Sequence, residues 1–191
     1  MSTKIVQPAS QAKLNKLDVP AEIQVKIEGD RIVVAGPKGK VERKYPVKNL
    51  EIKITAKEIE VVARGKTAQH RALEGTFMAH IKNMLKGVVE PFTYKLKIAY
   101  VHFPMSAKLQ GSELIVSNFL GSKQNQIVKL PKDATVKVEN EIITVTSPDI
   151  EIAGKAATLI EQSTKISNRD RRVFLDGIYI IEKCGRPITT T

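Results

Sequence analysis

The sequence predicts an α+β fold built from two tandem copies of an antiparallel sheet with one helix packed on it. Three observations support this prediction. Apolar and polar residues alternate in several short stretches, a middle segment has apolar residues at helical spacing, and the second half repeats the first. Alternation with period two is typical of strands with one buried face, and a spacing of four residues is typical of one helix face.

The first half begins with predicted strands. Ile23, Val25 and Ile27 alternate with polar residues, and a similar alternation recurs over 51–54 and 59–61. Because successive side chains of a strand point to opposite faces, each stretch predicts a strand with one buried and one solvated side.

A helix is predicted over residues 66–86. Its apolar stripe consists of Leu73, Phe77, Ile81 and Leu85. Thr67 is suited to cap its first turn, since a hydroxyl can accept from an unpaired backbone N–H. Gly87 stands where helices commonly end in a left-handed conformation.

The second half repeats this order of elements. Residues 29–34 align with 111–116 at an offset of 82, which also places Gly39 on Gly121. After a two-residue insertion, the corresponding pairs are Ile52 with Val136, Ile54 with Val138, and Val61 with Val145. The resulting offset of 84 aligns the first helix with a second one, predicted around 152–165. Its apolar face consists of Ala153, Ala156, Ala157 and Ile160. We interpret the pattern as an internal duplication.

The duplication sets the expected domain boundaries. Pro91 blocks continuation of the first helix, and a strand from Tyr94 to Val101 would open the second copy. We therefore expect an extension over 1–20, a first repeat over 21–87, a second repeat over 88–184, and a tail over 185–191.

The chain is strongly basic. Its 191 residues include 31 Lys and Arg against 20 Asp and Glu, a net charge of +11. Residues 1–86 carry a net +8 and residues 165–191 a net +3, whereas 87–164 are neutral. A protein this basic commonly binds an anionic partner such as nucleic acid.

Other features narrow the class of protein. The single cysteine, Cys184, allows no intrachain disulfide and favours a reducing compartment. No apolar run reaches the 18 residues that span a bilayer, and the first residues lack the apolar core of a secretory signal. We therefore expect a cytoplasmic protein with no membrane partner.

No catalytic constellation is evident. Gly65-Lys66-Thr67 resembles the end of a phosphate-binding loop, but Glu60 stands where that loop needs glycine, so a turn and helix cap are favoured. Cys184 has no evident base beside it. Metal-ligand spacing is absent among the three histidines, His70, His80 and His102. We expect no catalytic residue, metal site, cofactor or small-molecule substrate.

Two motifs allow more than one interpretation. The segment 36–40 (Gly-Pro-Lys-Gly-Lys) is a hairpin turn that also offers Lys38 and Lys40 to phosphate oxygens. The segment 100–104 (Tyr-Val-His-Phe-Pro) could stack on bases, but aromatic residues of a strand more often belong to the core, which is the favoured interpretation.

The segment 162–183 holds three arginines within four residues, Arg169, Arg171 and Arg172. Guanidinium groups match phosphate oxygens bidentately, which favours an RNA contact. Residues 173–175 (Val-Phe-Leu) are expected to anchor the segment in the core, before a turn at 176–177 and a strand over 178–180. The alternative is a solvated run paired with Asp170 and Asp176.

This segment also carries a family resemblance, supported by residues 32–39, 100–104 and 118–121. The matching order is Gln162, Ile166, Arg169, Arg172, Phe174, Asp176-Gly177-Ile178-Tyr179-Ile180 and Lys183. It resembles the archaeal and eukaryotic large-subunit ribosomal proteins called L-six in bacteria and L-nine in eukaryotes, with the eukaryotic members as closer kin. The similarity covers residues 20–183.

The resemblance implies two tandem α+β domains that bind large-subunit ribosomal RNA near the sarcin-ricin region and stalk base. It further implies neighbouring ribosomal proteins as partners, the 60S particle, and nucleolar assembly. The implied RNA-binding residues are Arg169, Arg171, Arg172, Lys183 and Arg186, to which the hairpin adds Lys38 and Lys40. Two rival hypotheses are an enzyme acting on an anionic substrate and a free scaffold for acidic proteins.

Overall fold

The structure is a computed structural model in which two compact units follow each other along the chain, one ending at Glu90 and the other beginning at Pro91. The described residues are 16–20, 22–55, 58–65, 67–101, 103–167, 169–170 and 172–188. Each unit combines antiparallel strands with one long helix, which confirms the predicted fold class. None of the described helices has the length and hydrophobicity that a membrane span requires.

The first unit has two three-stranded antiparallel sheets and a 22-residue helix. The sheets have the strand orders β2-β3-β4 and β1-β6-β5. Its elements are β1 (Lys16–Asp18), β2 (Gln24–Glu28), β3 (Arg31–Gly36), β4 (Gly39–Lys44), β5 (Leu50–Ile54), β6 (Glu58–Ala63) and α1 (Ala68–Val89).

The second unit has a three-stranded sheet, a five-stranded sheet and a 14-residue helix. The sheet orders are β10-β9-β8 and β11-β12-β7-β13-β14. Its elements are β7 (Phe92–Ala99), β8 (Ser106–Gln110), β9 (Glu113–Ser117), β10 (Gln126–Lys129), β11 (Thr135–Glu139), β12 (Ile142–Ser147), α2 (Ile150–Ser163), β13 (Gly177–Lys183) and β14 (Arg186–Pro187).

The two units share a topology. In each, three sequential strands form one sheet, and a later hairpin pairs with the strand that opens the unit. Gly29 and Gly111 occupy equivalent hairpin turns with φ of +63° and +59°, where a residue without a Cβ adopts the left-handed conformation at no steric cost. In the second unit, β13 and β14 extend the sheet beyond β7, and a short 3-10 helix (Phe119–Gly121) follows β9.

Each unit has its own apolar core beneath its helix. Met78, Ile81, Leu85 and Val88 of α1 are buried against the first core. The predicted face of α2 is confirmed, since Ala153, Ala156, Ala157 and Ile160 are all fully buried. Because alanine side chains are small, α2 lies close to the sheet, and this close packing holds the helix in place.

The start of α1 follows the prediction, but its end does not. The Thr67 side chain accepts a hydrogen bond from the His70 backbone N–H, as a capping residue does. Gly87, which we expected to end the helix, is buried inside it, and α1 continues to Val89 before Glu90 takes an extended conformation. The helix continues because fully buried Val88 contributes to the core, and Pro91 then prevents a further turn.

Residues 16–18, which we assigned to an N-terminal extension, form a strand of the first unit. β1 pairs antiparallel with β6, with Leu17 opposite Ile59. Leu17 also packs against the first core. A segment of three residues is too short for an alternating pattern to be recognised in the sequence. These residues form a strand because β6 offers them an edge to pair with.

Candidate nucleic-acid interface

The basic segment that follows α2 is anchored at the end of that helix. Thr164 is buried, and its hydroxyl accepts from the Ile178 backbone N–H at 2.9 Å. The Glu161 carboxylate accepts from the Ile180 N–H at 3.3 Å. These two side chains satisfy amides on the outer edge of β13, where a further strand would otherwise be needed.

A turn around Asp170 presents the arginines. The Asp170 carboxylate accepts from the Arg172 N–H at 2.9 Å, and its carbonyl accepts from the Phe174 N–H at 3.0 Å. The Arg169 guanidinium lies 4.9 Å from the centroid of the Phe174 ring, within cation–π range. The turn and the ring therefore restrict the positions that the two exposed arginines can take.

Only one of the three predicted anchors lies in the core. Phe174 is half-buried and packs against the second core, whereas Val173 is 57% exposed and Leu175 52% exposed. The prediction that all three residues anchor the segment was therefore wrong for Val173 and Leu175.

Asp176 is the buried anchor that the sequence analysis missed. It is fully buried, and one carboxylate oxygen accepts from the Val101 N–H at 2.6 Å. Its other oxygen has no hydrogen-bond partner among the described residues. The contact ties the segment to the chain just beyond β7, and it removes Asp176 from the surface ion pairing that the alternative interpretation required.

The other basic side chains lie at the far end of β13. Lys183 and Arg186 are directly opposite across the β13–β14 hairpin, and both are exposed. Directly opposite strand residues project from the same face, so two cations are held side by side. The hairpin turn consists of Cys184 and Gly185, with φ of +50° and +77°.

The structure thus separates the predicted residues of the second unit into two sites. Arg169 and Arg172 precede β13, whereas Lys183 is its last residue and Arg186 lies in β14. The seven-residue strand β13, about 20 Å long at 3.3 Å per residue, lies between the two sites in the chain. Within the described part of the chain, none of the four forms an ion pair. Arg171 lies outside the described residues.

The two lysines of the first unit differ from each other. Lys40 Nζ lies 2.7 Å from a Glu42 carboxylate oxygen, which raises the lysine pKa and lowers the pKa of Glu42. Lys38 is exposed, but its backbone N–H donates to the Val88 carbonyl at 3.0 Å. The Lys38 backbone amide is therefore already bonded within the unit, and the exposed Lys38 side chain is the cation that this hairpin offers.

The favoured core assignment of the aromatic segment 100–104 was wrong. Tyr100 is 42% exposed, Val101 58% and Phe103 38%. The strand β7 ends at Ala99, so the alternation that buries its side chains does not continue into this segment. His102 lies outside the described residues.

Tyr179 and Lys97 were not among the predicted site residues. They are cross-strand partners on β13 and β7, and both are exposed on the face of the sheet opposite the core. The alternation of Leu96 and Ile98 with lysines along β7 was the signal that could have placed Lys97 on this face. Among the described residues, no cluster of His, Cys, Asp and Glu could hold a metal ion.

Comparison with known proteins identifies similar chains. The sequence model of the family described as Ribosomal protein L6 matches residues 19–90 and 103–177. A Large ribosomal subunit protein uL6 from Methanococcus vannielii is 37% identical over 94% of this chain and 98% of its own length. The proteins of the same name from Nanoarchaeum equitans and Aeropyrum pernix are 42% and 40% identical, over 91% and 89% of this chain and 94% of their own lengths.

Proposed function

The chain belongs to the ribosomal protein L6 family, and from this premise we propose that it is a structural constituent of the large ribosomal subunit that binds ribosomal RNA during translation. The family consists of ribosomal structural proteins rather than enzymes. Its partners are then large-subunit ribosomal RNA and neighbouring ribosomal proteins, and its place is the ribosome in the cytoplasm.

The observation that carries this proposal is the pair of unneutralised cationic sites in the second unit. Lys183 and Arg186 are held side by side, and Arg169 and Arg172 are displayed on a hydrogen-bonded turn. Such an arrangement is stabilised when phosphates occupy the space beside it, because binding releases the counterions of the RNA. Recognition would depend on RNA shape, since the charges are fixed in a rigid pattern.

We assign RNA contacts to Arg169, Arg171, Arg172, Lys183 and Arg186 in the second unit. In the first unit, Lys38 is the stronger candidate and Lys40 the weaker one, because Glu42 already neutralises Lys40. We expect the main RNA contacts to come from the second unit.

The finer assignments follow from the family resemblance, and the eukaryotic ones among them rest on the spacing around residues 118–121. We propose that the contacted RNA lies near the sarcin-ricin region and stalk base, in a 60S particle whose assembly begins in the nucleolus. Chemical footprinting of the ribosomal RNA tests the location. Sedimentation of the particle distinguishes a 60S subunit from the large subunit of an archaeal cell, which is smaller.

Charge reversal tests the proposed function. Arg171→Glu combined with Arg172→Glu should abolish incorporation into large subunits while leaving the circular dichroism spectrum unchanged. Lys132→Glu combined with Lys137→Glu is the matched control, because it reverses two exposed charges elsewhere in the same unit. Normal incorporation of the arginine variant would show that the assigned site is wrong. Sedimentation of the wild-type chain free of large subunits would instead favour the scaffold hypothesis.

A further inference from the structure

A cavity of about 340 Å³ opens where the C-terminal end of α2 meets β13. Small-ligand sites begin at about 300 Å³, so the cavity is large enough for a single flat ring. It is lined by Glu161, Gln162, Thr164, Lys165, Ile166, Ile178 and Tyr179. The described first unit lacks an equivalent of β13, the strand that forms one wall of this cavity, because the chain passes directly from α1 to β7.

The polar wall of the cavity accepts hydrogen bonds. One Glu161 carboxylate oxygen accepts from the Ile180 N–H, which fixes the side chain at the strand edge. The second oxygen of Glu161 accepts no hydrogen bond from the described residues. The C-terminal end of α2 adds partial negative charge from its last carbonyls.

The remaining walls suit a flat apolar surface. Ile166 and Ile178 are buried at the base of the cavity, 6% and 1% exposed. Tyr179 also lines the cavity but projects from the opposite face of β13, where it is 42% exposed, so its ring can stack on a base that extends past the strand edge. Exposed Lys165 stands at the cavity and supplies a cation for the backbone of the same nucleotide.

These walls select one class of ligand. A carboxylate and a helix C-terminus repel phosphate, and buried isoleucines disfavour a hydrated metal ion. A planar group with two adjacent N–H donors satisfies both the carboxylate and the apolar base. Among the bases of RNA, guanine has this arrangement on its Watson–Crick edge, through its N1–H and N2 amino group.

We propose that this cavity binds the Watson–Crick edge of one unstacked guanine of ribosomal RNA, with Glu161 accepting its two N–H donors and Tyr179 stacking on its ring. This inference rests on the proposed binding to ribosomal RNA. It adds one base-specific contact to an interface whose other contacts recognise phosphates.

Kethoxal probing of large subunits assembled with each variant tests the proposal, because kethoxal reacts with the same N1 and N2 atoms of guanine. One guanine should be protected in wild-type particles. Its reactivity should rise about five-fold or more with Glu161→Gln, which removes a bidentate pair. Glu161→Gln keeps an acceptor for the Ile180 N–H, so the β13 edge should remain intact. Tyr179→Leu, which leaves Glu161 in place, should expose the same guanine.

Glu139→Gln is the matched control, since this exposed carboxylate of the same unit does not line the cavity. It should leave the protected guanine unchanged. An identical kethoxal pattern in wild-type and both test particles would overturn the guanine assignment. So would exposure of an adenine or cytosine, detected with dimethyl sulfate, in place of a guanine. Failure of the wild-type chain to enter particles would overturn the proposed function. If the wild-type chain enters particles normally but the kethoxal pattern does not change in the variants, only the guanine contact is overturned.

Discussion

Lys183 and Arg186 are direct cross-strand partners beside the two-residue turn of the β13–β14 hairpin. Like charges directly opposite in a sheet destabilise it. The described residues provide no carboxylate that forms an ion pair with either side chain. The hairpin of the unbound chain therefore contains a repulsion that an external anion relieves.

Arg186→Glu should stabilise the isolated chain and weaken its binding to ribosomal RNA. Replacing repulsion by attraction is expected to raise the free energy of unfolding by about 0.2–1 kcal/mol at low salt. The gain should shrink at high salt, which screens exposed charges. The slope of log binding constant against log salt should fall by about one. Denaturant titrations and RNA binding at several salt concentrations measure both effects, and a loss of stability at low salt would contradict the repulsion.

Phe174→Leu should weaken RNA binding without changing the number of phosphate contacts. The substitution keeps most apolar volume but removes the ring that lies 4.9 Å from the Arg169 guanidinium. Loss of a cation–π contact of about 0.5–1 kcal/mol corresponds to a two- to five-fold lower affinity. The salt slope should stay at its wild-type value because every cation remains. A reduced slope would indicate that Phe174 acts by holding the whole turn rather than by positioning Arg169.

Gly36→Ala should destabilise the first unit. A Cβ at position 36 would lie 2.8 Å from Cγ2 of fully buried Val88, which cannot move without disturbing the core. Overpacking of this kind costs about 1–3 kcal/mol. Gly75→Ala provides a contrast, since a Cβ there meets nothing within 4 Å on an exposed helix position. It should stabilise the chain by about 0.5–1 kcal/mol. Guanidinium denaturation measures both changes, and equal effects would contradict the close approach of β3 and α1.

Tyr94 should make the second unit sensitive to alkaline pH. Burial raises the pKa of its phenol to about 12 from the ordinary value of 10.0, and a hydrogen bond with Cys184 adds to the effect. The folded state thus holds the proton more tightly than the unfolded state. This stabilisation is complete below pH 10 and is lost as the pH rises through 12.

Tyr94→Phe removes that titrating group. Between pH 10 and 12, the wild-type chain should lose more stability than the variant. The difference between their phenolate absorbance titrations should have a midpoint at about 12. A midpoint at the ordinary tyrosine pKa would show that the phenol is more solvated in solution than the structure indicates.

The regular elements were predictable because local pattern and tertiary packing agree there. The spacing of Ala153, Ala156, Ala157 and Ile160 defines a helix face, and that same face is buried. Thr67 caps α1 for a local chemical reason that does not depend on the rest of the fold. Gly87 shows the limit of such reasoning, because the burial of its neighbour Val88 outweighs the tendency of glycine to end a helix.

The candidate site was predictable in composition but not in geometry. The cluster of arginines predicts an anionic partner, yet the turn around Asp170 has no periodic signal, and neither has the exposure of Val173 and Leu175. Asp176 was expected in a surface turn, although a backbone amide far away in sequence, that of Val101, draws its carboxylate into the interior. Contacts between distant segments set these positions, so local pattern could not supply them.

The hydroxyl of Thr164 and the carboxylate of Glu161 occupy two amides on the outer edge of β13. An uncovered edge of this kind is a template for pairing with another chain and for aggregation. Newly synthesised copies awaiting their RNA therefore have a blocked edge beside their most basic segment. We expect this closure to help an unassembled pool of the protein remain monomeric at the concentrations that ribosome production demands.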